Sequence, residues 1–127
     1  MKTVKQVLEL CEQTGAWYGI KIEKFDQRNG LGDTVLHTVC SWGQLESVKL
    51  LVEAGADVNA KGDHDSTPLF NAITGKNPEV ISFLISVGAV PKISNSLGWH
   101  LLEYAKNVSA PQSILQILEM HSKKKKW

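Results

Sequence analysis

The sequence repeats itself. Gly32-Asp33-Thr34-Val35-Leu36-His37 returns as Asp65-Ser66-Thr67-Pro68-Leu69-Phe70, and a weaker copy follows as Gly98-Trp99-His100-Leu101-Leu102-Glu103. Thr34, Thr67 and His100 are spaced 33 residues apart, as are Gly55 and Gly88. A fixed period of this length calls for stacked copies of one supersecondary unit, because a single copy cannot bury its own apolar face.

The residue types inside one period spell out a helix pair. Thr34 and Thr67 suit a helix N-cap, where a hydroxyl accepts from an unpaired N–H of the first turn. Pro68 then fits the first helical position, where its missing N–H costs nothing. Leu36 with Val39, Leu69 with Ala72, and Leu102 with Ala105 give each first helix a buried stripe at i and i+3. Val48, Leu50, Leu51 and Val52 are the apolar part of a second helix, ended by Gly55 as its counterpart is by Gly88. Between Asp57 and Ser66 the chain projects as a β-turn finger. Asn77-Pro78 and Ala110-Pro111 break the later helix pairs. Ile117-Leu118 run one place late against Phe83-Leu84, so an extra residue is expected before Ile114.

This pattern resembles the ankyrin repeat, a β-turn followed by two antiparallel helices, with a 33-residue period and a T-P-L-H-x-A signature. The resemblance covers residues 29 to 120. Val35 stands in place of the signature proline, Phe70 in place of its histidine, and Asp65 in place of the finger glycine. In the last copy His100, Leu101 and Glu103 replace Thr, Pro and His. The implied fold is an all-α ankyrin-repeat solenoid of three to four helix–turn–helix units with β-turn fingers. One domain over 1–122 is expected, made of an N-terminal cap (1–28) and repeats at 29–61, 62–94 and 95–120, with a basic tail at 123–127. Val4, Val7, Leu8 and Cys11 place a capping helix in residues 2 to 14, since a solenoid end needs one polar face. Gly15 to Phe25 does not match the repeat: Tyr18, Ile20 and Ile22 alternate as in a strand, and a hairpin arm, an irregular loop or a second cap helix all fit.

A hydrophobic content of 43% against 21% charged residues is that of an ordinary folded chain and excludes a disordered one. No apolar run approaches the roughly 20 residues needed to cross a bilayer. Two cysteines in different units, Cys11 and Cys40, read as buried free thiols in a reducing compartment, which gives a cytoplasmic location. The net charge of +1 is unevenly spread: residues 29–60 carry Lys49 against Asp33, Glu46, Glu53 and Asp57, whereas Lys123 to Lys126 make the tail basic.

Candidate chemistry is thin. His37 and Cys40 lie three apart on one helix, but a closed zinc site wants four ligands; the resemblance implies instead a structural histidine, bonded within the turn framework. Asp63-His64-Asp65-Ser66 gathers acid, imidazole and hydroxyl, yet a finger tip gives no shielded pocket with oxyanion donors, and Asp and Ser are turn formers. No phosphate-binding glycine loop occurs. The lysine run reads as a solubilising tail rather than a nucleic-acid or lipid contact. No enzyme, cofactor or metal site is expected.

In the ankyrin family, partners are gripped by finger tips and by the exposed side of the first helix. Projected onto this chain, those places are Leu31, Asp33, Ser41 and Trp42, then Asp63, His64, Ser66 and Thr74, then Leu97, Trp99 and Asn107. Leu31, Trp42, Leu97 and Trp99 are large apolar groups where solvent alone would favour polar ones. Trp42 has a second reading, packing against the Gly15–Phe25 arm, and Trp99 another, covering an end of the stack. The implied function is non-catalytic protein binding by a monomer, with no small-molecule substrate, nucleic acid or membrane. The finer expectation is neutralisation of one basic partner, such as a toxin or nuclease domain, in the manner of an immunity protein. The alternative is an adaptor that recruits a partner without inhibiting it.

Overall fold

The computed structural model describes residues 2–122. The expected basic tail, 123–127, lies outside the described residues. Seven α-helices are present among them: α1 (Val4–Glu12), α2 (Val35–Trp42), α3 (Leu45–Glu53), α4 (Pro68–Gly75), α5 (Pro78–Ser86), α6 (Leu101–Asn107) and α7 (Gln112–Ser122). Helices α2, α4 and α6 stack as an inner row, and α3, α5 and α7 as an outer row behind them. The described residues hold no extended strand, only an isolated antiparallel bridge between Ser94 and His100 at the foot of the third finger.

The core follows the sequence period. Val39, Ala72 and Ala105 are fully buried in the inner row, and Val48, Ile81 and Ile114 in the outer row. Each large aliphatic group so buried contributes about 1.5–3 kcal/mol. Leu51 and Leu84 are matched by Leu118, one place late, also buried. The extra residue expected before Ile114 therefore falls after it. Ile114 keeps the register, and an i,i+4 step to Leu118 replaces the i,i+3 step from Ile81 to Leu84. Both steps stay on one helix face, so Leu118 still reaches the core.

Helix α1 begins at a reciprocal capping box: Gln6 N–H donates to Thr3 Oγ1 (3.2 Å) and Thr3 N–H to Gln6 Oε1 (2.9 Å). Its buried Val7 and Cys11 pack toward α2 and α3. The following arm is a 3₁₀ turn over Gly15–Trp17 and then an irregular loop, the second of the three readings offered above. Trp17 anchors it. Its ring is fully buried and its indole N–H donates to Thr38 Oγ1 of α2 at 2.8 Å. Ile22 is buried as well, its N–H on Glu12 Oε2 at 2.7 Å.

Each inner helix ends in a left-handed residue at the same repeat position: Gly43 (φ 69°), Lys76 (φ 57°) and Ser109 (φ 55°). Only the first is the glycine that this conformation favours.

Candidate functional site

Three fingers stand side by side, each closed at its base by a backbone hydrogen bond. Asn29 N–H donates to Asp33 O (2.9 Å), Gly62 to Ser66 O (2.8 Å), and Asn95 to Trp99 O (3.0 Å). In the outer two, an asparagine carboxamide organises the tip: Asn29 Oδ1 accepts from Leu31 and Asp33, and Asn95 Oδ1 from Leu97 and Trp99. In the middle finger that place belongs to Gly62. A Cβ there would strike the Asp33 carboxylate and the His37 ring. Asp33 Oδ1 instead reaches across and accepts from Asp63 N–H at 2.8 Å.

Further ties run between neighbouring fingers. An Arg28 guanidinium nitrogen donates to the carbonyls of both Gly32 and Lys61 (2.6 Å each), and Ser96 N–H donates to His64 O at 2.8 Å. Asn95 Nδ2 meets Ser66 Oγ at 3.2 Å. Because the fingers brace one another, the tip of the second holds two non-glycine residues in left-handed conformations, His64 (φ 54°) and Asp65 (φ 58°).

His37 works within this framework. Thr34 N–H donates to its Nδ1 (3.1 Å), and its Nε2 lies 3.0 Å from Ser66 O. Burial pushes its pKa below the ordinary value, against the Ser66 carbonyl and the Asp33 carboxylate, which oppose the shift. The second unit departs from the first. Phe70 stands where the imidazole would be, and Thr67 Oγ1 is buried without a partner, so the cap expected there is not made.

Phe70 takes part in a cluster on the side of the inner row that faces the fingers. Phe70, Tyr104 and Trp99 form an aromatic wall, with centroids 5.6 Å apart for Phe70–Tyr104 and 6.4 Å for Trp99–Tyr104. The wall closes one side of a depression of about 260 Å³ between the fingers and the inner row. Of the residues projected as partner-binding, Asp33, Asp63, His64, Ser66, Thr74, Leu97 and Trp99 line it. Leu31, Ser41, Trp42 and Asn107 do not. Leu31 is 60% exposed at its own tip, like Leu97 at 61%. Ser41 Oγ donates to Thr38 O within its helix, and Trp42 is half-buried against the core. Asn107 is exposed at the end of α6.

Sequence reasoning missed Phe70, Asn71, Asn95 and Tyr104 in this lining. The signal for Phe70 in the sequence is its departure from the motif. The Asp63–Ser66 turn is not assembled for catalysis: His64 Nδ1 faces Asp63 Oδ1 at 3.1 Å, while Ser66 Oγ turns to Asn95. Cys11 and Cys40 are both buried and unbridged; burial raises the Cys11 pKa to about 12 and moves Cys40 in the same direction.

The model of ankyrin repeats (3 copies) matches residues 2–95, which takes in the N-terminal cap and arm and stops before α6. The mouse protein phosphatase 1 regulatory subunit 27 is 34% identical over 87 residues, 68% of this chain and 56% of its own length. A Caenorhabditis elegans BRCA1-associated RING domain protein 1 is 37% identical over 86 residues, 67% of this chain but 12% of that protein. The human BCL-6 corepressor-like protein 1 is 32% identical over 85 residues, 67% of this chain and 5% of that protein. The chain thus spans from a twentieth to about half of these relatives. No described helix is long and apolar enough to cross a membrane. With three braced fingers, paired helix rows and a family model over most of its length, the chain belongs to the ankyrin-repeat family, whose fold is a protein–protein interaction module.

Proposed function

We propose that this chain binds one protein partner along its concave face and masks that partner's working surface. The supporting observation is the depression itself, where residues of three consecutive units meet: carboxylates of the first two, aromatic rings of the last two, and the exposed Leu97 tip. Exposed apolar groups rimmed by polar ones favour a protein surface, and tryptophan and tyrosine concentrate binding energy at such interfaces. Trp99 is the anchor in this reading. Asp33 and Asp63 steer a basic partner, and the two buried thiols suit a cytoplasmic, reducing setting.

A second reading, recruitment without inhibition, is favoured by relatives in which the matched stretch is a small part of a longer protein. The relatives named above point to no toxin or nuclease, so the partner is left at a protein with a basic surface. The deciding experiment identifies the partner by crosslinking from cells, then measures its activity at saturation. Loss of activity supports masking, and full retention supports recruitment. Trp99→Ala should weaken binding by about 2 kcal/mol or more, mainly through faster dissociation. Asp33→Asn with Asp63→Asn should slow association, an effect that fades with salt.

A further inference from the structure

We propose that the depression is a socket for a single arginine side chain presented by the partner; the proposal rests on the concave-face reading above. Its volume of about 260 Å³ lies below the roughly 300–1,000 Å³ of small-molecule sites and suits one long side chain. Two carboxylates line it, Asp33 and Asp63, and no lysine or arginine does. Arg28, the neighbouring cation, is held on the carbonyls of Gly32 and Lys61. Asp33 Oδ1 accepts from Asp63 N–H and Asp63 Oδ1 lies 3.1 Å from His64 Nδ1, so a guest cation is left the second oxygen of each carboxylate.

The opposite wall selects among cations. Trp99 and Tyr104 are half-buried, so each offers ring surface, with Phe70 almost wholly buried behind them. A guanidinium is planar, stacks on aromatic faces, and is more weakly hydrated than an ammonium. It also presents a fork of donors that engages carboxylates in pairs. Between an aromatic wall and two carboxylates, a guanidinium uses every side of the site, whereas an ammonium uses it only as a point charge.

An independent observation points the same way. The second unit has Phe70 where the first has His37, and its Thr67 hydroxyl is left buried and unpartnered. Phe70 itself lines the depression and joins the aromatic wall through Tyr104, whereas Thr67 does not line it.

The test uses blocked tripeptides with glycine on either side of arginine, lysine or citrulline, titrated into the ¹⁵N-labelled protein. Citrulline keeps the planar shape and removes the charge. The arginine peptide should give saturable shifts at the Trp99 indole N–H and the amides of Asp63 and Leu97. The lysine peptide should bind more weakly and the citrulline peptide should not saturate. Trp99→Leu, and separately Asp33→Asn with Asp63→Asn, should each weaken the arginine peptide roughly tenfold, with circular dichroism verifying that each variant folds. Equal binding of citrulline, equal binding of lysine, or shifts confined to the convex face would each overturn the socket. Because the peptides probe the socket alone, its failure would leave partner binding on the concave face standing, to be judged by the activity measurement above.

Discussion

His37 of the first unit gives its Nε2 proton to the carbonyl oxygen of Ser66 in the second, 3.0 Å away. The tautomer follows from the other ring nitrogen. Nδ1 accepts the Thr34 backbone N–H at 3.1 Å, so the proton must sit on Nε2. One neutral ring thereby joins a helix start to the next finger.

The neutral state makes this joint sensitive to acid. Burial, the largest cause, lowers the folded-state pKa of His37 from about 6.5, opposed in part by the Ser66 carbonyl and Asp33. The unfolded chain then binds the proton more readily, so stability falls as pH drops below about 6.5 toward the folded value. Thermal melts from pH 7.5 to 5.5 should show this decline. His37→Gln should start lower, by about 1–3 kcal/mol for the lost buried hydrogen bonds, and follow a flatter slope. An equal slope in both proteins would remove His37 as the cause.

The period at 33 residues made the paired helix rows legible, because Val39, Ala72 and Ala105 fill one core position by sequence spacing alone. The arm was not legible. Trp17 falls outside the 33-residue spacing of the sequence, and its indole hydrogen bond to Thr38 links residues brought together only by the finished stack. The depression was half legible: family positions supplied Asp33, Asp63 and Trp99, while Phe70 stands out only as a departure from the signature and Tyr104 carries no signal of its own. Their outward role depends on how the second and third units turn against each other, which no periodicity encodes.

Trp17 should therefore be a principal stabiliser of the N-terminal end. Trp17→Ala is expected to cost about 3–5 kcal/mol, comparable to Leu51→Ala or Leu84→Ala at about 2–5 kcal/mol. Trp17→Phe should cost less, leaving Thr38 Oγ1 without its donor. Urea titrations followed by circular dichroism would rank the four variants.

Lys76 sits in the left-handed corner that Gly43 occupies one unit earlier. A non-glycine residue there carries a penalty of about 1–2 kcal/mol. Lys76→Gly should recover about 1 kcal/mol, net of the glycine's greater freedom in the unfolded chain. The melting temperature should rise by a few degrees, and a fall would show that the lysine side chain makes a compensating contact.

Thr67→Val removes a buried hydroxyl that has no partner and keeps the shape of the side chain. It should be neutral or stabilising by up to about 2 kcal/mol, whereas Thr34→Val should destabilise by about 1–2 kcal/mol by breaking the pair with His37. Denaturant midpoints of the two variants give the comparison.

The two thiols are buried and have raised pKa values, so neither presents a thiolate at neutral pH. Native protein should resist a thiol-specific chromogen over hours and react at once in denaturant. Reductant should leave the melting temperature unchanged.

The braces between fingers run from each unit to the next: Asp33 to Asp63, His37 to Ser66, His64 to Ser96. Such a molecule is a hinge chain, stiff at every joint yet able to accumulate small bends along its length. A side chain lodged between Asp33 and Trp99 would act as a strut from the first unit to the third. It would fix the curvature of the array at one value and make three separable joints yield together under heat or load.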